Sequence, residues 1–191
     1  MEKFYIEYGK FIISFENINF QLCYIIRKIC TSEKMFSNED KRIEILLEGL
    51  TSYPILSKFN SLIKTTQIKE VKEVEGLIKV FYNNFVNVIE LRNFIAHGTF
   101  LFGDPHGNVE KFQIRKPKLN KDGFQQNTNI ISIEAFKKLN SELERLEDFI
   151  ENLNIYLSIK TPINIKEQIL KEMSNSLDKL DIKRDITKIS I

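Results

Sequence analysis

The sequence predicts an all-α fold: an up-and-down helical bundle with a small hairpin or flap inserted between its fourth and fifth helices. Three observations carry that expectation. Apolar residues recur at three- and four-residue steps over long runs. Turn-formers are scarce, with 7 Gly and 4 Pro in 191 residues, which favours long helices over many short strands. The stretch that breaks the helical period follows Gly98, where short alternating runs and turn sequences take over.

From about Phe4 to Ile29 the stripe Phe4, Tyr8, Phe11, Phe15, Ile18, Leu22, Ile25, Ile29 marks one long amphipathic helix, ended by a loop from Thr31 to Ser37. Ser37 or Asn38 is placed to cap a second helix carrying Ile43, Leu46, Leu47 and Leu50. Pro54 suits the first turn of a third, with Leu56, Phe59 and Ile63 along it. A fourth periodic stretch runs from about Val71 to Ala96, and Gly98 stands where it should end. Next come a strand-like Thr99–Phe102, the turn sequence Asp104-Pro105-His106-Gly107 and an alternating run from Val109 to Arg115. Pro117 to Thr128 is expected to be a polar loop. Ser132 with Glu134-Ala135 opens a helix that continues through Phe136, Leu143 and Ile150 to Leu157. Thr161-Pro162 reads as cap and first-turn proline of a last helix reaching about Leu180, and the tail Asp181 to Ile191 is expected to be loosely attached. The organisation that follows is a bundle over residues 1–160 with its flap at 99–128, and a C-terminal helix and tail over 161–191 packed on it.

An apolar content of 42% supports one sizeable core, and the length allows one compact domain. The net charge of +2 is too small to announce a nucleic-acid partner, so any basic surface has to be local. Cys23 and Cys30 lie on one helix face about 10 Å apart, too far for a disulfide, and read as core thiols of a reduced compartment. No basic leader with an apolar block follows Met1, and no uninterrupted apolar stretch approaches about eighteen residues, so a cytoplasmic location and no membrane partner are expected. Zinc-type Cys/His spacing, a glycine-rich phosphate loop and a serine nucleophile elbow are all missing, so neither metal nor cofactor is expected.

On a wheel of about 100° per residue, Leu77, Phe81, Phe85, Val88 and Ile95 cluster on one side of the fourth helix. Asn83, Glu90, Asn93 and His97 fall within about 40° of one another on the other side. Arg92 projects into the apolar side between Phe85 and Val88, where a guanidinium needs partners. The plain readings are that Arg92 snorkels or meets a carboxylate from another helix, and that His97 is a helix-end imidazole favoured by the macrodipole. Together at one helix end, the two make an unusual charge placement.

The run Leu91-Arg92-Asn93-Phe94-Ile95-Ala96-His97-Gly98 resembles the motif of the HEPN superfamily of helical domains: an arginine, a short spacer opening on a polar residue, then a histidine. Ala before and Gly after the histidine also fit its bacterial members, and the resemblance spans roughly residues 1–160. It implies metal-independent cleavage of RNA, with the substrate's own 2′-hydroxyl as nucleophile. In those terms His97 is general base or acid, and Arg92 grips the scissile phosphate bidentately. Asn93 orients the imidazole or hydrogen-bonds the phosphate, while Glu90 is a supporting carboxylate whose plainer reading is a solvated helix position. The resemblance further implies a homodimer and a role as a bacterial toxin or phage-defence effector with an antitoxin or defence-system partner. Thr99 stands where some paired toxins of that family carry tyrosine. The alternative is a non-catalytic RNA- or nucleotide-binding or dimerisation module, and a purely structural helical partner is a third reading.

Arg92 and His97 stand about 140° apart on an ideal helix. Either the helix distorts near Gly98 or two chains bring their motifs together across a two-fold axis, and the composite homodimer is the expectation. Lys111, Arg115, Lys116, Lys118 and Lys121 follow the motif with no acidic residue among them. They are candidates to track an RNA backbone, with a solvated loop as the equal alternative. His106 reads as a turn residue.

Overall fold

The computed structural model describes residues 2–32, 41–103, 111–120, 123–157 and 163–182. The chain is mostly helical. In order come α1 (Glu2–Ser32), α2 (Arg42–Leu47), α3 (Ser52–Thr65), α4 (Lys69–Glu73) and α5 (Glu75–Ala96). Strands β1 (Thr99–Phe102), β2 (Lys111–Asn120) and β3 (Gly123–Ser132) follow, and α6 (Ile133–Tyr156) and α7 (Ile163–Leu177) complete the set.

The apolar stripe of α1 is buried along its length against α6 and α3, as its period requires. Six phenylalanine rings form a continuous ribbon through the centre of the bundle. It passes from Phe136 of α6 to Phe11 and Phe15 of α1, then to Phe85 and Phe81 of α5, and back to Phe149 of α6, with neighbouring centroids 5.2–6.3 Å apart. Rings at such spacings add directional attraction to the burial of their area. Among the described residues, the core admits few polar groups. The Asn140 amide nitrogen donates to the Glu7 backbone carbonyl at 2.9 Å and to its carboxylate at 2.8 Å. That hydrogen bond, with a second from Lys10, holds the Glu7 carboxyl below the ordinary range. Cys23 is half-buried, Cys30 is buried, both are free, and burial pushes the Cys23 thiol up.

The fourth apolar stretch is two helices rather than one. Val74 leaves helical geometry (φ −109°, ψ 6°) and serves both as the end of α4 and as the start of α5. Side chains from the far end of the chain hold the short piece in place. The Tyr156 hydroxyl donates to Glu73 at 2.5 Å, and Lys166 reaches Glu70 at 3.1 Å. Burial and the Glu73 carboxylate push the Tyr156 phenol upward. The flap therefore follows the fifth helix, not the fourth. The second helix is shorter than its apolar pattern, because Gly49 (φ 69°) turns the chain before Leu50. Its expected caps Ser37 and Asn38 lie outside the described residues, as do Thr161 and Pro162 before α7.

The flap is a three-stranded antiparallel sheet in the order β1-β2-β3. The expected polar loop over Pro117–Thr128 is instead the far half of β2 and most of β3, paired in register from Lys111↔Ser132 to Asn120↔Gly123. Pro117 is tolerated because β1 covers only Phe112 to Arg115, which leaves that half of β2 an edge on one side. Ile114 and Ile131 are buried and join the sheet to the core. Ser132 ends β3 and caps α6, accepting the Ala135 backbone N–H at 3.0 Å. The turn with His106 lies outside the described residues. At the other end, the tail is anchored where it begins. Leu180 and Ile182 are buried, and the Ile182 backbone N–H donates to the Asn84 side-chain carbonyl at 3.0 Å. Among the described residues, no helix is long and apolar enough to cross a membrane.

Candidate active site

Helix α5 carries Arg92 and Asn93 in its last turns and hands over to His97, which has left helical geometry at φ −106°, ψ 5°. The backbone N–H of His97 still reaches the Asn93 carbonyl at 3.2 Å, and that of Gly98 shortens to the Ile95 carbonyl, also at 3.2 Å. Gly98 does not take a positive φ. Close approach explains it instead. A Cβ there would lie inside the radius of Ile114 Cγ2 on β2 and 2.9 Å from the Phe94 carbonyl oxygen. The glycine lets the sheet press against the helix end, immediately after His97.

The Arg92 guanidinium lies over the face of Phe15, 5.5 Å from its centroid, so the aromatic ribbon also carries a cation–π contact. Its Nη1 donates to the Asn93 side-chain carbonyl at 3.4 Å, and its Nη2 stands 3.8 Å from Glu16 of α1. Both contacts are longer than the 2.7–2.9 Å or so of a direct charge-assisted hydrogen bond. The Nε is buried without a partner among the described residues. The carboxylate from another helix that the plain reading of Arg92 called for is thus present, but loosely engaged. About a third of the Arg92 side chain stays exposed, at 34%.

Arg92, Asn93 and His97 all line one cavity of about 740 Å³, between α1, the Leu50–Ile55 segment and the end of α5. Glu16 and Asn19 form its α1 wall, Thr51, Ser52 and Tyr53 its rim, and Ile55 and Ile89 are part of its apolar floor. The size is that of a small-molecule cleft, roughly 300–1,000 Å³. A cavity of about 760 Å³ between α1 and α2 is as large, but its lining includes Phe20, Tyr24, Ile43 and Ile45, and Arg27 there is paired to Glu44 at 2.6 Å. Size does not separate the two; an exposed imidazole beside a loosely held guanidinium does.

Arg92 and His97, about 140° apart on an ideal helix, line a common cavity within one chain, and His97 has left helical geometry. Asn93 has its side-chain oxygen on Arg92 rather than on the imidazole. Glu90 is exposed and outside this lining, and it accepts the Tyr53 hydroxyl at 3.3 Å. Burial and then the Glu90 charge raise the Tyr53 phenol, so Glu90 is coupled to Tyr53. Strand pairing sets Arg115 opposite Thr99, just beyond His97, where its Nη2 donates to Gln113 at 3.0 Å. Gln113 in turn donates to the Gly103 carbonyl at 3.2 Å. Arg115 is therefore tied into the flap. Lys111, Lys116 and Lys118 lie on β2, and Lys121 falls outside the described residues.

Glu16 and Asn19 escaped the sequence reading. Asn19 left one trace, a polar residue between Phe15, Ile18 and Leu22 that is nearly as buried as they are. Its amide nitrogen lies 3.5 Å from Glu16 and its amide oxygen is buried without a partner among the described residues. Among those residues, no three His, Cys, Asp or Glu side chains gather where they could hold a metal ion. Comparison with family models, curated proteins and solved structures finds no match for the chain.

Proposed function

We propose that this protein is a metal-independent endoribonuclease of HEPN type, with Arg92, Asn93 and His97 as its active-site residues. The observation that carries the reading is the shared cavity: an exposed imidazole and a partly exposed, loosely engaged guanidinium line one concavity at a helix end. Bidentate donation from Arg92 suits a phosphate and the charge that builds on it during attack. His97 suits proton transfer at the sugar or leaving oxygen. Asn93 holds one edge of the guanidinium. RNA as the partner, a homodimer and an antitoxin or defence-system partner belong to the same proposal.

The test is incubation of the purified protein with RNA in excess EDTA. Cleavage by the parent, slowed at least about 100-fold in His97→Ala and lost in Arg92→Ala, supports the reading. Equal cleavage by His97→Ala overturns the mechanism. RNA bound but never cut, with binding weakened by Arg92→Ala alone, would replace it with the non-catalytic binding module.

A further inference from the structure

Cleavage of RNA by its own 2′-hydroxyl moves two protons. One leaves the attacking 2′-oxygen, and one must reach the departing 5′-oxygen. His97 supplies one proton-transfer group per chain. The cavity holds a second. Glu16 stands on the α1 wall, facing the α5 wall that carries Arg92 and His97. Its Oε1 lies 3.8 Å from Arg92 Nη2, a separation that leaves both groups available to a ligand. Its other oxygen is met at 3.5 Å by the Asn19 amide nitrogen, one helical turn further along α1. A carboxylate beside a phosphate-gripping arginine is an odd choice for a site that only binds, since its charge repels the anion. It is a sensible choice where a proton has to be taken from a hydroxyl next to that phosphate.

Resting on the ribonuclease reading above, we infer that Glu16 is the general base of the reaction and His97 its general acid. A carboxylate oxygen can only accept a proton while an imidazole N–H can give one, which assigns the two roles in that order. The 2′-hydroxyl proton passes to a Glu16 carboxylate oxygen as the 2′-oxygen bonds to phosphorus. The bond from phosphorus to the 5′-oxygen breaks, its electron pair stays on that oxygen, and the His97 imidazolium protonates it. The products are a 2′,3′-cyclic phosphate and a 5′-hydroxyl, and exchange with water restores both side chains. Arg92 lies over Phe15 and offers its Nη groups to the phosphate. Asn19 is a positioning residue that holds the carboxylate. One chain then carries both proton-transfer groups, and the chemistry needs no histidine from a second copy.

The decisive comparison uses two dinucleotide substrates, one with the ordinary 5′-oxygen leaving group and one with sulfur in its place. A thiolate leaves without being protonated, so the sulfur substrate bypasses the acid and still needs the base. On the oxygen substrate, both Glu16→Gln and His97→Ala should lose about 100-fold or more in kcat. On the sulfur substrate, His97→Ala should recover to within about tenfold of the parent while Glu16→Gln stays slow. Unchanged thermal melting of Glu16→Gln, expected for an exposed carboxylate, shows that the loss is not unfolding. Parental activity in Glu16→Gln, a loss confined to KM, or rescue of Glu16→Gln by sulfur overturns the assignment while leaving the ribonuclease reading intact. No cleavage of either substrate by the parent overturns both.

Discussion

In the bundle, six phenylalanine rings contact one another in series and bind three long stretches of helix into one core. In the flap, two ten-residue strands with largely polar sequences reach that core through Ile114 and Ile131. The bundle core draws on many buried side chains from all of its long helices. Among the described residues of the flap, Ile114 and Ile131 are the fully buried apolar side chains. The candidate site draws on both regions. Arg92 lies against the bundle, over the ring of Phe15, while His97 stands at the seam, next to the close approach of Gly98 to β2. Damage to either region should therefore reach the site by a different route.

Breaking the bundle has the largest effect. Phe85→Ala removes a fully buried ring that touches both Phe15 and Phe81, and should cost about 3–5 kcal/mol of unfolding free energy, read by denaturant titration. Breaking the seam costs less stability and more function. Gly98→Ala forces Ile114 or the helix end to move, at about 1–3 kcal/mol. RNA cleavage at a temperature where the variant is folded should fall by more than that loss accounts for, because His97 moves with it. Parental cleavage by folded Gly98→Ala would show that the seam does not position the imidazole. A smaller perturbation of the same junction is Ser132→Ala, which removes the α6 cap and should cost about 1 kcal/mol with cleavage little changed.

The smallest effect probes the bundle alone. Glu7 has its carboxyl pKa lowered in the folded state by Asn140 and Lys10. The stability it contributes is full above the ordinary carboxylate pKa of about 4.3 and is lost as pH falls through the lower, folded value. Melting temperatures followed downward from neutral pH should drop less steeply in Glu7→Gln than in the parent. An identical slope would remove Glu7 from the acid response.

The long helices α1 and α6 were legible because their apolar stripes run unbroken along faces that the fold buries. The break at Val74 was not, since Val71, Val74 and Ile78 keep a helical period across it and are all buried. The partners of the short piece before the break, Tyr156 and Lys166, lie in no local window. The outer half of the flap was hidden for the opposite reason: its strands form by pairing in register, and a run such as Gln125-Gln126-Asn127-Thr128 carries no alternation of apolar residues to announce it. At the site, Arg92, Asn93 and His97 could be read because they are neighbours in one motif. Glu16 and Asn19 could not, because only folding brings α1 to the end of α5.

The central claim, that Arg92 and His97 form a ribonuclease site, is tested most directly by the ends of the products. Mass spectrometry of a defined oligoribonucleotide treated with the protein in EDTA should find fragments ending in 2′,3′-cyclic phosphate and beginning with 5′-hydroxyl, formed at least about 100-fold more slowly by His97→Ala. Fragments bearing 5′-phosphate, or cyclic ends formed by His97→Ala at the parental rate, would contradict it.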